Sequence, residues 1–277
     1  MLREESPTFV WSDRTKYKNL SAESDFEQSA LASFGGGVAR ALLQGTGTTQ
    51  YTLSRGPSAG FIRQAILNEQ PFVRLGDLVA LCWALGIPVG YLRVFPLPAK
   101  RMSAMVVQVD GRYAILLGKS ARFPAPVAYY LAHELGHIAL GHLQGQSALI
   151  DIGDPLLALG SDDEEVAADR FALELLTGFP EPHIATDTRS FLARQLAETA
   201  ARSAQELKIE PGTIALCFGH ETGRWDKTYG ALRYIYGVGR PIWAEINAVL
   251  VQQLDWSQLT TEIAQYLRLI IELPSDG

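Results

Sequence analysis

The segment AYYLAHELGHIALGHL, residues 128–143, places two histidines and a glutamate in an otherwise apolar stretch, and a third histidine follows near its end. Burying an unpaired charged side chain is costly, and such a group usually remains inside a protein only when it is paired or binds a metal. The segment therefore predicts a buried helix that carries a metal site, and the rest of the chain can be interpreted around it.

His133, Glu134 and His137 form the pattern HExxH within this segment. On a helix, residues four apart share a face, so both imidazoles can bind one ion. Glu134 projects about 100° round the same helix, beside that ion, where a general base for a zinc-activated water is needed. The alternative is a helix whose histidines form hydrogen bonds inside the core. The apolar surroundings favour the metal site, and Zn²⁺ is the expected cofactor.

A catalytic zinc site needs a third protein ligand and one open position. Some zinc proteases take this ligand from HExxHxxGxxH, but here His142 comes five residues after His137 and position 140 is Leu140. On a continuing helix, His142 points about 140° away from His137. We therefore interpret His142 as a histidine at the helix end or surface rather than as a ligand.

A second helix is predicted over DDEEVAADRFALELLTG, residues 162–178, whose acidic first turn suits the positive end of the helix dipole. Glu165 and Asp169 are four residues apart and share a face. Glu165 is the predicted third ligand, and Asp169 is predicted to orient a ligand histidine, as in thermolysin-like enzymes. The alternative, a solvated acidic helix start, is assigned to the three acidic residues before Glu165.

The surrounding elements predict an α+β fold that is mostly helical, with a small antiparallel sheet beside the HExxH zinc helix. Helices are expected over SAGFIRQAILNEQ and LGDLVALCWALG, and strands over IPVGYLRVF, MSAMVVQV and RYAILLG. Asp110-Gly111 joins the last two strands and is a strong hairpin signal. Residues 145–161 are polar and contain glycine, and they are predicted to form a loop.

Three regions are expected along the chain: an N-terminal arm over residues 1–55, a metallopeptidase core over 56–180 and a helical C-terminal region over 181–277. Within the arm, residues 25–45 have helical periodicity that three consecutive glycines interrupt.

The composition excludes several classes of protein. A formal net charge of −6 argues against general binding to nucleic acid. The first residues contain no apolar signal region, and no apolar run approaches the ~18 residues of a membrane helix. Cys82 and Cys217 lie among apolar neighbours and are interpreted as buried thiols rather than a disulfide. We therefore expect a cytoplasmic protein.

The two motifs together resemble the ImmA/IrrE family of zinc metallopeptidases. A hairpin, FPAPVAYYLAHELGHIALGH, a variable loop and EEVAADRFALELL follow one another as in that family, over about residues 61–179. The resemblance implies three zinc ligands and one general base, which would be His133, His137, Glu165 and Glu134. Ala167 stands where the family often has a glutamate, and Asp169 where it has an asparagine. The partner of the ligand histidine is therefore more like that of thermolysin.

The resemblance further implies an intracellular zinc endopeptidase that cleaves one specific protein, a DNA-binding repressor of the helix-turn-helix type, in a stress response or a mobile element. The expected partner is therefore a protein substrate, not a membrane. The alternative is a metal-binding regulatory protein, or a toxin–antitoxin interaction protein, with little peptidase turnover. Glu134 favours the enzyme, because a site that only binds a metal has no need of a general base.

Peptide hydrolysis also needs a donor that stabilises the tetrahedral oxyanion. The sequence offers several tyrosines and histidines without choosing between them, and the candidates are Tyr129, Tyr130, His183, His220 and Tyr229. In thermolysin-like sites an extended peptide pairs with a sheet edge above the zinc helix. The hairpin over residues 102–118 lies directly before this helix, so its exposed edge is the predicted substrate platform.

Two other patterns are weaker. Gly118, Lys119 and Ser120 end like a phosphate-binding loop, but the position that should hold the first glycine is Tyr113. LGDLVALCWALGIPVGYLRVF resembles a helix-turn-helix, but its second half fits a strand that leads into the hairpin better.

Overall fold

The computed structural model describes residues 15–18, 25–47, 56–95, 102–143, 148–151, 162–183 and 192–272, which are the described ranges below. Within them, ten α-helices surround one five-stranded sheet. The helices are α1 (Asp25–Gln44), α2 (Ala59–Leu67), α3 (Leu75–Ala84), α4 (Pro124–Leu140), α5 (Asp163–Thr177), α6 (Ala193–Leu207), α7 (Pro211–Thr222), α8 (Trp225–Tyr236), α9 (Ile242–Gln253) and α10 (Thr261–Ile270). The strands are β1 (Thr15–Lys18), β2 (Val89–Tyr91), β3 (Ala104–Val109), β4 (Arg112–Leu117) and β5 (Ala148–Asp151). The predicted α+β class with a helical majority is confirmed.

The sheet has the strand order β1-β5-β3-β4-β2. The predicted hairpin forms its centre, with Ala104 opposite Leu117 in an antiparallel ladder. Asp110 and Gly111 make the turn with φ angles of 50° and 76°. A type I′ turn, which is common in two-residue hairpins, needs positive φ at both of these positions. β5 pairs antiparallel with β3, while β2 and β1 add parallel pairs at the two edges. The sheet is therefore mixed, with its antiparallel part in the middle.

Both faces of the sheet are buried, and successive residues of each central strand enter different cores. Val106 and Ile115 face the core that includes the apolar side of α4. Met105 and Leu116 face a second core formed with α1 and the C-terminal helices. Burial on both faces explains why the hairpin strands are almost continuously apolar rather than alternating with polar residues.

Helix α1 runs without a break through the glycine triplet, so the expected interruption at Gly35 is wrong. A Cβ atom on Gly35 would overlap Sδ of Met105 on β3. The missing side chain allows α1 to approach the sheet closely, and the tertiary packing compensates for the low helix propensity of glycine.

The structure also corrects the interpretation of residues 145–161 as a loop, because residues 148–151 form β5. β5 covers the outer side of β3, and β2 covers the outer side of β4. The hairpin therefore has no exposed edge, and its predicted role as a substrate platform is wrong. Four apolar or acidic residues after a glycine-containing stretch carry too little pattern to predict a strand, and pairing with β3 determines their conformation.

The C-terminal helices pack on the central part of the fold. Helix α7 contacts α4, and α9 contacts β2. Asn247 of α9 donates a hydrogen bond to the carbonyl oxygen of Tyr91 and accepts one from its amide, at 2.9 and 2.8 Å. The division into residues 1–55, 56–180 and 181–277 stays a prediction. None of the described helices is both long and apolar enough to cross a bilayer.

Candidate metal centre

Helix α4 carries the HExxH residues and is buried along nearly its whole length. The helix begins after Phe123, which has an extended backbone conformation and is the N-cap residue. Pro124 occupies the first turn, where its missing N–H group removes no hydrogen bond from the helix. It ends at Gly141, which has a left-handed conformation with φ 77°. Every residue from 125 to 138 is buried. The polar side chains on this helix are therefore shielded from bulk water and need partners within the protein.

Helix α5 supplies those partners. Its first turn is fixed by Asp162, whose side chain accepts a hydrogen bond from the amide of Glu164 at 3.0 Å. Val166 is exposed, while Glu165 is 4% exposed and points inward toward α4. Gly178 ends the helix in a left-handed conformation. The predicted helix over residues 162–178 is confirmed.

Gly136, in the middle of HELGH, determines how closely the two helices approach. A Cβ atom at this position would lie 3.2 Å from Cα and from the carbonyl oxygen of Ala168, which are backbone atoms that cannot rotate away. The glycine therefore permits a backbone contact between α4 and α5 that a larger residue would widen. This contact brings the inward face of α5 to the two histidines.

His133, His137 and Glu165 form a compact group of three side chains. His133 Nε2 lies 3.0 Å from His137 Nε2. Glu165 Oε2 lies 3.3 Å from His133 Nε2, and Glu165 Oε1 lies 3.3 Å from His137 Nε2. These ligand atoms all lie within 4.8 Å of one another, and all three residues are buried. Two imidazole nitrogens and one carboxylate that converge in this way fit a divalent metal ion, and the group could hold one.

Asp169, one turn after Glu165, lies behind His133. Its Oδ1 atom is 2.9 Å from His133 Nδ1 and accepts a hydrogen bond from the hydroxyl of Tyr129 at 2.6 Å. A carboxylate on Nδ1 favours the tautomer in which Nε2 carries the lone pair, and Nε2 is the atom directed at the metal group. Asp169 therefore has the position predicted from its spacing, and Tyr129 orients it.

His137 has an outer partner that sequence reasoning did not assign. Its Nδ1 atom lies 2.8 Å from Nδ1 of His142. The helix ends at Gly141, and the amide of His142 donates a hydrogen bond to the carbonyl oxygen of His137, which turns the chain back over the helix end. Projection of His142 on a continuing helix was therefore misleading, and the glycine before it was the available signal. His142 is placed to orient His137 rather than to join the three ligand atoms.

The protonation of this group in the absence of a metal follows from its surroundings. Burial opposes a charge on His133, but hydrogen bonds to Asp169 and Glu165 and the negative charge of Glu134 raise its pKa to about 10. Burial also opposes a charge on Glu165, yet hydrogen bonds with His133 and His137 keep its pKa well below the usual range. The metal-free group is therefore a charged network in which a proton on His133 takes the place of a cation.

Glu134 is 1% exposed and lies on α4 between His133 and His137, the two ligand histidines of this helix. It follows His133 directly in the chain, so its carboxylate leaves the helix about 100° away from the imidazole. Its negative charge contributes to the raised pKa of His133. The structure thus brings together all five residues that the sequence singled out for the site, with four of them buried.

The five candidates for oxyanion stabilisation lie at different places in the structure. His183 lies on the surface near Glu221, and His220 is exposed at the end of α7. Tyr129 is engaged with Asp169. Tyr130 is buried on α4, and together with Tyr229 of α8 it lines a pocket described below.

No protein-family model matches the chain, and a search of curated proteins gives no match either. The chemistry of the metal group therefore carries the functional argument.

Proposed function

We propose that this protein is a zinc-dependent endopeptidase that hydrolyses a specific protein substrate. The observation that carries the proposal is the group formed by His133, His137 and Glu165, with the buried Glu134 beside it. A tetrahedral zinc ion with bonds of about 2.0–2.1 Å would separate its ligand atoms by about 3.3 Å, close to the 3.0–3.3 Å found here. Three protein ligands leave one position open, which is typical of catalytic rather than structural zinc.

Zinc bound in such a site would act as a Lewis acid and lower the pKa of a coordinated water to about 7. Glu134 is the residue of this chain that would move protons. As a carboxylate it accepts a proton from the attacking water, and as a carboxylic acid it returns the proton to the amine of the leaving group. The surrounding residues of α4 exclude bulk water, which strengthens these interactions.

Asp169 and His142 support this chemistry without contacting the substrate. Each faces the Nδ1 atom of one ligand histidine, so the Nε2 atoms of both rings stay directed at the same point. A site that only stored a metal would gain from these contacts as well. Glu134 is what favours an enzyme over a metal-binding regulatory protein, because a buried carboxylate that is not one of the three ligands is costly to keep without a chemical role.

The resemblance of HELGH and EEVAADRFALELL to the ImmA/IrrE family supports a narrower proposal for the substrate, a DNA-binding repressor with a helix-turn-helix domain. The protein would then relieve repression in response to a signal. The two free cysteines, Cys82 and Cys217, are buried thiols and support action in the reducing cytoplasm.

The test compares the full-length protein with Glu134→Gln. Both proteins are loaded with zinc, their metal content is measured by mass spectrometry, and each is added to a protein extract in which new N-termini are then identified. Glutamine preserves the size of the side chain but cannot act as a base. We expect equal zinc content and a fall in cleavage by a factor on the order of 10² or more in the variant.

A set of new N-termini that is identical for the two proteins would exclude Glu134 as the general base. Equal zinc content with no cleavage by either protein would favour the metal-binding regulatory alternative.

A further inference from the structure

A pocket of about 420 Å³ opens next to the N-terminal half of α4. It lies between the β4–α4 connection, which includes Lys119 and Arg122, and helix α8, which contributes Tyr229 and Arg233. Phe123 and Tyr130 form its aromatic wall together with Pro126. The volume is within the range of about 300–1,000 Å³ that is usual for ligand pockets.

The charge of the pocket has one sign. Three cationic side chains line it, and among the described residues that line it there is no carboxylate. Neither guanidinium, of Arg122 or of Arg233, forms an ion pair within the described ranges. This concentration of positive charge occurs in a chain whose formal net charge is −6.

Other arginines of the same helical region are paired with carboxylates. Arg194 Nε lies 2.8 Å from Glu198, Arg224 Nε lies 3.2 Å from Asp226, and Arg240 Nε lies 2.6 Å from Glu245. The two arginines of the pocket differ from these neighbours in having no acidic partner in the described ranges. An anion from outside the chain could therefore form charge-assisted hydrogen bonds with them, and a planar carboxylate matches the guanidinium geometry.

The pocket adjoins the metal centre through α4. Tyr130 lies four residues before Glu134, so both side chains leave the same face of the helix with about 5–6 Å between their Cβ atoms. Tyr130 is 3% exposed, and among the residues that line the pocket it is the one closest to Glu134 along α4. Lys119 Nζ lies 5.7 Å from the centre of its ring, so the positive charge extends to this wall. Because Tyr130 and Glu134 are about one helical turn apart, a few residues of a substrate chain would span the distance between them.

We infer that this pocket, as a subsite of the proposed peptidase, binds the carboxylate of a glutamate or aspartate in the substrate. The enzyme would then select protein segments that carry an acidic residue a few positions from the cleaved bond. A free inorganic anion such as phosphate shares the negative charge, so the experiment must distinguish it from a side chain. This inference rests on the proposed function, and its test separates the two.

The test uses full-length zinc-loaded Glu134→Gln, which binds without turnover. Two capped peptides, acetyl-AAAEAAA-amide and acetyl-AAAQAAA-amide, and inorganic phosphate are titrated separately by NMR. We expect the glutamate peptide to bind at least about tenfold more tightly than the glutamine peptide. Adding Arg122→Gln and Arg233→Gln should abolish this preference, and Arg122→Lys with Arg233→Lys should restore part of it.

The matched control is the pair Arg194→Gln and Arg202→Gln on α6, which removes the same charge from exposed positions outside the pocket. We expect the preference for glutamate to remain in this control. Equal binding of the two peptides would overturn the inference, and so would binding of phosphate with no preference between the peptides, which would indicate an inorganic-anion site.

A second measurement separates this inference from the proposed function. The active protein is incubated with a library of peptides from a whole-proteome digest, and the residues around each cleavage site are counted. Enrichment of acidic residues that the double glutamine variant loses supports both proposals. Cleavage without such enrichment overturns the inference and leaves the peptidase intact. Absence of cleavage, together with a glutamate preference in the binding experiment, overturns the peptidase and leaves the anion pocket.

Discussion

The two halves of helix α4 are both largely buried but carry opposite chemistry. In the C-terminal half, His133 and His137 meet carboxylates from α5, and the group is suited to a cation. In the N-terminal half, Tyr130 borders a pocket whose charged groups are lysine and arginine, and that pocket is suited to an anion. Tyr130 of the pocket and Glu134 of the metal centre are about one helical turn apart on α4. A substrate that bridges both would bring its scissile carbonyl to the metal and an acidic side chain to the pocket.

The comparison also shows which kind of site a sequence reveals. The metal ligands occupy two helices, and on each helix a spacing of four residues sets the important pair. The basic pocket is assembled from the connection before α4 and from α8, which lies about a hundred residues later in the chain. No short sequence motif predicts that these two segments form one pocket.

The largest expected effect is the loss of the metal in His133→Ala. The substitution removes one of three protein ligands. It leaves the buried Glu165 with His137 but without His133, and it leaves the half-buried Asp169 without its imidazole partner. Zinc measured by mass spectrometry in the purified full-length protein should fall from about one ion per chain to close to none. His220→Ala, which removes an exposed histidine at the end of α7, should keep the full content. Equal zinc in both variants would show that the metal binds elsewhere.

A smaller effect on the same half of α4 is expected from Asp169→Ala. His133 would lose the carboxylate that orients its ring, and metal affinity should fall by about 10–100-fold. Tyr129→Phe removes only the hydroxyl that holds Asp169, so its effect should be smaller and in the same direction. Competition with a fluorescent zinc chelator measures both. Unchanged affinity in Asp169→Ala would mean that the contact with Nδ1 of His133 does not orient the ligand.

The apparent affinity for zinc should depend on pH. The metal-free protein holds a proton on His133, whose pKa is raised to about 10, and binding requires that proton to leave. The lowered pKa of Glu165 keeps this carboxylate ionised throughout the same range. Affinity should therefore decrease about tenfold for each pH unit between pH 8 and pH 6. A dissociation constant that is the same at both ends of this window would contradict the charged network.

The smallest effect on zinc affinity is expected from changes in the basic pocket beside the N-terminal half of α4. Arg122→Gln with Arg233→Gln changes the basic pocket but none of the residues that contact the metal ligands. The zinc dissociation constant should therefore change by no more than about threefold, because exposed charges act weakly through water. A loss of zinc comparable to that in Asp169→Ala would mean that the two halves of α4 are one coupled site.

Local patterns predicted much of the fold around the site. The periodicity of α4 and α5, the Asp110-Gly111 turn and the strand character of the hairpin all arise from neighbouring residues, and all are found in the structure. Gly35 and β5 are two features that local patterns did not predict. The helix through Gly35 depends on its contact with Met105, and the strand at residues 148–151 depends on its pairing with β3. Both contacts join segments far apart in sequence.

The residues of the site also include some that local spacing predicted and some that depend on the fold. Ligand spacing on α4 and α5 predicted which residues converge, and the later position of Asp169 followed from the same helical face. His142 was assigned to the helix end or surface, and it lies just past the helix end. Its contact with His137 was missed because the helix was extended past Gly141, whereas the left-handed glycine returns the chain to His137. The basic pocket had no local signal, because Arg233 joins Lys119 and Arg122 only when α8 lies near the start of α4.

The central claim is that His133, His137 and Glu165 bind one zinc ion. The X-ray absorption spectrum of the zinc-loaded full-length protein tests it most directly, because imidazole rings and sulfur atoms give distinct scattering. The account predicts two imidazole ligands and oxygen ligands at about 2.0–2.1 Å, with no sulfur. Three imidazoles would make His142 a ligand in place of Glu165, and a sulfur atom at about 2.3 Å would place the metal at a cysteine. Either result would contradict the site described here.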